Sequence, residues 1–211
     1  MDRVKKFISA IFAGMCIGMG AVVFLQQENN MIGSFLFAIG LFSVVIFKFQ
    51  LFTGRVGYLP YKNFDYVLEL CIIWFGNLLG TCLIAITIQM TRIYPLIEER
   101  VVAISQLKLN DDLLSILILS FYCGILMFVA VESSKNESVQ LPFKFPVVFL
   151  PVMVFILSGY EHVIANMVYF SLAKVWDFNT LIYVIVMTIG NSLGGMFIPF
   201  YLKYFRLPIS E

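Results

Sequence analysis

The sequence predicts an all-α membrane protein with six transmembrane helices, arranged as two inverted halves of three in which helices 2 and 5 are broken. Three observations point there. The 211 residues are 61% hydrophobic and 13% charged, with a mean hydropathy of +0.93. A soluble domain carries about 25% charge, so this surface must meet lipid. Six apolar runs come close to the roughly 20 residues that a bilayer-spanning helix needs. Two of these runs are interrupted at corresponding places, and a Gly-Asn pair recurs in the last run of each half. The composition excludes a soluble enzyme and a disordered tail, and a formal net charge of +1 gives no basic field for nucleic acid.

The first run, 7–25, follows Arg3, Lys5 and Lys6 as a signal peptide's apolar region would. It is nevertheless of spanning length and lacks an Ala-x-Ala-like cleavage site before Gln26, so it is expected to stay as helix one. The second run, 31–47, meets Lys48, Gln50 and Gly54. The third covers about 66–89 and the fourth about 113–131. The fifth, 145–172, is interrupted by Gly159, Glu161 and His162, and the sixth covers about 181–202. Residues 92–112 are expected to form a solvated outer loop. Cys16, Cys71, Cys82 and Cys123 lie inside apolar runs at no metal-ligand spacing and read as packing residues. No metal or cofactor is expected. The whole chain, 1–211, reads as one membrane domain with repeats of about 1–95 and 110–211.

An even number of spans puts both termini on one side. That side holds Arg3, Lys5, Lys6, Arg55, Lys62, Lys135, Lys144, Lys203 and Arg206; the other holds Arg92, Arg100, Lys108 and Lys174. Nine cations against four, with Lys48 left out as intramembrane, place both termini in the cytoplasm of a cell (inner) membrane.

Phe75-Gly76-Asn77 in span three and Ile189-Gly190-Asn191 in span six put the two asparagines 114 positions apart. The interruptions at Thr53-Gly54 and at His162 are separated by a similar interval. Because each half holds three helices, the halves insert in opposite senses. A broken helix frees backbone groups that lipid cannot satisfy, so the breaks must border protein or a water-filled cavity. Inverted repeats with paired breaks are the architecture of channels and transporters. The Gly-x-x-x-Gly pairs Gly14/Gly18, Gly76/Gly80 and Gly190/Gly194 read as close-packing positions.

The sole histidine, His162, lies at the second break. Ionisable side chains at membrane depth mark pathways more often than a buried histidine in a soluble core does. Asn166 follows one helical turn later, on the same face. Thr53 sits at the first break, where its hydroxyl and the freed amides suit an anion; back-bonding to its own helix is an equally good reading of Thr53 taken alone. Asn77 and Asn191 are expected to clamp the freed backbone, with Glu161 tying down the second break.

Together Leu51-Phe52-Thr53-Gly54, Phe75-Gly76-Asn77, Gly159-Tyr160-Glu161-His162, Ala165-Asn166-Met167 and Gly190-Asn191-Ser192-Leu193-Gly194-Gly195 resemble the formate/nitrite transporter family. The resemblance runs from Ala13-Gly14 and Ile17-Gly18 in span one to span six. It implies an aquaporin-like bundle, a homopentamer with one pore per protomer, and passage of a small monovalent anion: formate, nitrite, hydrosulfide, or acetate and lactate in some members. Carried over by position, His162 and Thr53 form the central pore pair, with Asn166 beside them and Glu161 as a structural carboxylate. Lys144 is the lysine near the pore, Phe37 and Leu41 line one constriction, and Phe52 and Phe155 are further constriction residues. Two departures stand out: only about six residues precede span one, where the family has an amphipathic gating segment, and Lys48 and Gln50 add polarity before Thr53.

A bare anion in a dry apolar ring is costly. The expected remedy is that Lys144 and the half-helix ends concentrate anion and acidity. The anion then takes a proton, from His162 or from water, and crosses as the neutral acid. Three rivals are weighed against this. A neutral-solute channel of the aquaporin class would carry Asn-Pro-Ala twice, and the chain has no Asn-Pro dipeptide. An intramembrane enzyme would want a second base beside the histidine. A non-transporting structural protein would have no use for paired breaks.

Overall fold

The computed structural model describes residues 2–135 and 140–205; Arg206, counted above among the cations, lies outside them. Helices dominate, and no strand occurs among the described residues. The elements are α1 (Arg3–Gln26), α2 (Asn30–Ile46), α3 (Phe52–Arg55) continued by a 3-10 segment (Val56–Tyr61), α4 (Asp65–Gln89) and α5 (Tyr94–Leu109). They continue with α6 (Leu113–Lys135), α7 (Leu141–Leu157), α8 (Val163–Ala173) and α9 (Phe178–Tyr204). Four of them, α1, α4, α6 and α9, are long and apolar enough to cross a membrane; α2, α8 and the stretch Phe143–Leu157 are shorter apolar helices. Outward faces such as Phe75, Leu79, Leu83 and Ile86 on α4 and Ile185, Ile189 and Leu193 on α9 are exposed and apolar, as a lipid-facing surface requires.

Helix starts follow local chemistry. The Asn29 side chain accepts from the Met31 and Ile32 amides at 2.9 and 3.2 Å, capping α2. Asp177 accepts from the Thr180 amide at 2.7 Å to cap α9. That amide and the Thr180 hydroxyl hold the exposed Asp177 carboxyl below the usual carboxylate range.

Small residues set the main contacts, α1 against α4 and α6 against α9. A Cβ on Gly80 would sit 2.1 Å from the Ile11 carbonyl oxygen, and one on Gly194 would sit 1.9 Å from that of Phe121. The backbones therefore touch where a side chain would stand, as the Gly-x-x-x-Gly spacing implied. Gly194→Ala should force α6 and α9 apart and cost about 1–3 kcal/mol, read as a lower thermal midpoint of the detergent-solubilised protein. An unchanged midpoint would show that the helix pair tolerates separation.

Helical structure is interrupted at 47–51, several residues before Thr53-Gly54, and at 158–162, a stretch that contains Gly159, Glu161 and His162. Helix α2 ends at Ile46 and α3 begins at Phe52, so Thr53 and Gly54 belong to the first turn after the break. Helix α7 ends at Leu157 and α8 begins at Val163. The two ends are built alike. Phe49 N–H donates to the Val44 carbonyl at 2.9 Å and Lys48 N–H to Val45 at 3.2 Å; Tyr160 N–H donates to Phe155 at 2.9 Å and Gly159 N–H to Ile156 at 3.2 Å. Each is a six-to-one bond enclosing a five-to-two bond around one left-handed residue, Lys48 (φ 56°) or Gly159 (φ 70°). Matching atoms recur 111 residues apart, from Lys48 to Gly159.

The expected solvated loop at 92–112 is instead largely α5. Ile97, Val101 and Ser105 recur every four residues, putting one stripe against the bundle, and all three are fully buried. The polar residues of α5 are engaged too: the Arg100 guanidinium reaches the Leu25 and Gln27 carbonyls and the Asn30 side chain. Tyr94 donates to the Leu172 carbonyl at 3.1 Å, and burial, with the hydrogen bond to Glu98 second, pushes its phenol pKa up.

Candidate functional site

The freed backbone at each break is held by one asparagine. Asn77 Oδ1 accepts from the Phe52 amide at 2.8 Å, while its Nδ2 donates to the Gln50 carbonyl at 2.9 Å and the Ala10 carbonyl at 2.8 Å. Asn191 does the same in the other half: Oδ1 accepts from the Val163 amide at 2.9 Å, and Nδ2 donates to the Glu161 carbonyl at 2.7 Å and the Ser120 carbonyl at 2.8 Å. Both asparagines are wholly buried. A side-chain amide is suited to this task because it offers one acceptor and two donors in a plane.

The clamps bring the starts of α3 and α8 together. Thr53 Oγ1 lies 2.9 Å from His162 Nε2, with both residues at least 98% buried. His162 also caps α8: its Nδ1 accepts from the Ala165 amide at 3.2 Å. An Nδ1 that accepts carries no proton, so the ring is the Nε2–H tautomer and donates to Thr53. The Thr53 hydroxyl proton is left to point elsewhere. Two backbone amides at equivalent places, Thr53 and Ile164, have no hydrogen-bond acceptor among the described residues. Helix starts carry a partial positive charge, so two of them meeting at buried donors form a setting that favours an anion.

Aromatic rings cover the histidine. Phe155 stacks on the His162 ring at 5.5 Å between centroids, and Phe37 meets Phe155 edge-on at 6.0 Å. Leu41 is buried one helical turn along α2 from Phe37. Phe52, also buried, borders an apolar groove of about 320 Å³ between α4 and α9, shared with Trp74 and Ile189.

Not every expected residue joins the central pair. Asn166 Nδ2 donates to Glu161 Oε2 at 2.6 Å and lies 3.1 Å from Met187 Sδ; its side chain serves the carboxylate rather than the histidine. The Glu161 carbonyl, not its carboxylate, is what Asn191 holds at the break. Lys144 is half-buried and borders a cavity of about 520 Å³ that reaches Leu51 and Gly54, on either side of Phe52 and Thr53.

Lys108 is the residue that the sequence reading missed. Its Nζ lies 2.6 Å from Glu161 Oε2 and their side chains are 14% and 5% exposed. It was counted as a loop cation, yet it continues the Ile97, Val101, Ser105 stripe, three residues on. That helical spacing was the available signal.

Comparisons with known proteins agree with this architecture. The profile of the family described as "Formate/nitrite transporter" matches residues 1–205. The chain is 24% identical to the formate channel FocA of Haemophilus influenzae, covering 90% of this chain and 82% of that one. It is 25% identical to the nitrite transporter NirC of Escherichia coli K12, covering 90% and 78%. Among solved structures, a pentameric formate channel with formate bound superposes with TM-score 0.81 at 27% identity, over 97% of this chain and 98% of that one. A second, an FNT family ion channel at 21% identity, superposes with TM-score 0.83 over 98% and 92%. With apolar membrane-length helices and a profile match over nearly its full length, this integral membrane protein belongs to the formate/nitrite transporter family.

Proposed function

We propose that the chain is a conduit for a small monovalent weak-acid anion, with formate the first candidate and nitrite, hydrosulfide, acetate and lactate in the same chemical class. In this reading α2 with α3 and its 3-10 continuation forms the second of six spans, and α7 with α8 forms the fifth. The halves at about 1–95 and 110–211 insert in opposite senses within one membrane domain, and both termini are cytoplasmic. Five copies assemble, as the name of the pentameric formate channel records for that neighbour, and in this reading each copy has its own pore.

The observation that carries the reading is the buried Thr53–His162 hydrogen bond at 2.9 Å, set where two helix starts converge under Phe155 and Phe37. An anion arriving there meets the free Thr53 hydroxyl proton, the unpaired Thr53 and Ile164 amides and two positive helix ends. Lys144 draws it in from the adjoining cavity. Phe37, Leu41, Phe52 and Phe155 form the apolar rings that a bare charge crosses only at high cost. Of the two proton sources considered from sequence, the hydrogen bonds favour water. The Nε2 proton of His162 is already donated to Thr53, and a second proton at Nδ1 would displace the Ala165 amide at the positive end of α8. The anion therefore takes up a solvent proton relayed by water as it enters the apolar rings, where desolvation raises its proton affinity, and releases that proton to solvent on the far side, while the histidine orients Thr53. Asn166 and Lys108 hold Glu161, and Asn77 and Asn191 keep both breaks in register.

The test is formate flux into liposomes. Thr53→Val leaves the Nε2–H without an acceptor and removes the hydroxyl donor, a loss of about 1–3 kcal/mol. Flux should fall roughly ten- to a hundredfold by the same measure. His162→Asn retains an acceptor for the Ala165 amide and should fold, yet lose formate selectivity over chloride. Glycerol should not pass the wild type. Flux and selectivity at wild-type level in both variants would remove the pair from the mechanism, and glycerol passage would favour a neutral-solute channel.

A further inference from the structure

The cavity that Lys144 borders holds more positive charge than attracting a monovalent ion requires. Lys48, Arg55, Lys135 and Lys144 all line its roughly 520 Å³, and no carboxylate does among the described residues. Arg55 and Lys135 also border the neighbouring cavity, together with Asp65, Glu69 and Glu132, and Glu132 accepts the Tyr58 hydroxyl at 2.6 Å. Lys135 Nζ lies 2.7 Å from that same hydroxyl. Neither of the two ion pairs among the described residues, Lys6–Glu69 and Lys108–Glu161, involves any of the four cations. Lys48 and Lys144 therefore have no ion-pair partner among the described residues, and with Arg55 and Lys135 beside them the group is mutually repelling, a cost that a bound polyanion relieves.

Lys48 supplies a second, independent observation. It occupies the left-handed corner (φ 56°) that its counterpart fills with Gly159 (φ 70°). A side chain with a Cβ is disfavoured in that conformation and glycine is not. Lys174 (φ 58°) fills the same kind of corner after α8, and what sets Lys48 apart is that its corner borders the cavity and places its charge beside those of Arg55, Lys135 and Lys144.

We propose that this cavity is a binding site for a multiply charged phosphate-type anion, held by Lys48, Arg55, Lys135 and Lys144, whose occupancy blocks the conduit at Leu51. A single proton leaves such an anion charged, so it cannot follow a weak acid across the apolar rings. It stays in the cavity and closes the route. The blocking rests on the conduit reading above; the binding does not. The phosphate can belong to a free anion or to an anionic lipid headgroup at the membrane face.

The probe is inorganic pyrophosphate, titrated calorimetrically into the purified full-length protein and, separately, against formate flux in phosphatidylcholine vesicles. Saturable binding is expected. It should be accompanied by inhibition from one face beyond that of chloride at equal ionic strength, with flux normalised to each variant's own uninhibited rate. Lys48→Gly, which relaxes the corner while removing one charge, should weaken both at least tenfold. Arg55→Gln provides a second variant with the same expectation. Cardiolipin-containing vesicles separate the sources: a headgroup occupant lowers wild-type flux without pyrophosphate and spares Lys48→Gly, whereas a free anion acts equally in both lipids. Pyrophosphate binding no tighter than chloride, or equal binding in wild type and both variants, would overturn the site. Binding without inhibition would overturn the block alone, and a protein that binds pyrophosphate but passes no formate would count against the conduit.

Discussion

Lys108→Met should destabilise the protein by about 3–5 kcal/mol, the usual consequence of stranding one member of a buried ion pair. Glu161 is 4% exposed, and its carboxylate relies on Lys108 Nζ at 2.6 Å and Asn166 Nδ2 at 2.6 Å. With the ammonium gone, the carboxylate must either ionise in a low-dielectric interior with one amide donor or take up a proton there. Both routes are unfavourable. The double variant Lys108→Met/Glu161→Gln keeps the volume and removes the stranded charge, so it should recover most of the loss. Thermal unfolding in detergent reads both effects. A single variant as stable as the wild type would show that Glu161 is hydrated or already neutral. A double variant as unstable as the single would mean that Lys108 acts through packing rather than charge.

The second large effect is expected at the asparagine clamps. Asn191→Leu removes three hydrogen bonds and leaves the Val163 amide and the Glu161 carbonyl unpaired in the bundle, while the Ser120 carbonyl loses its second donor and keeps its bond within α6. Each buried orphan costs about 1–3 kcal/mol, so a loss of about 3 kcal/mol or more is expected, and lipid offers no water to soften it. Asn77→Leu should do comparable damage through Phe52, Gln50 and Ala10. The two variants differ in what they release: Asn191→Leu frees the backbone beside His162, and Asn77→Leu frees the backbone beside Thr53. Limited proteolysis should therefore cut at 158–162 in the first and at 47–51 in the second. Wild-type resistance in either would show that its break is held by packing alone.

These sites show what the sequence made legible. The asparagines stood out because a Gly-Asn pair recurs at one place in each half, and a lipid-exposed backbone has few ways to be satisfied. His162 and Thr53 stood out because polar residues at membrane depth are rare. The first break lay several residues from where Thr53-Gly54 suggested. The left-handed corner that ends α2 is occupied by Lys48, so no glycine marked it. In the second half Gly159 marks the corner directly. Helix α5 was hidden by composition, since charged residues separate its buried stripe and mask a four-residue period. The partner of Lys108 was hidden for a different reason: an ion pair spanning 53 positions is set by how α5 lies on the bundle, which no local pattern encodes.

Each clamp closes within its own stretch of chain: Asn77 reaches residues 10, 50 and 52, and Asn191 reaches 120, 161 and 163. The fully buried side-chain hydrogen bond joining these two stretches, among the described residues, is Thr53 to His162. Were the two blocks to rock against each other as rigid bodies, neither lock would strain, whereas the central link and the part-buried Trp74 Nε1 to Thr188 Oγ1 bond at 3.0 Å would lengthen. In the proposed conduit, the bore of the passage and the length of the Thr53–His162 contact would then be a single mechanical coordinate.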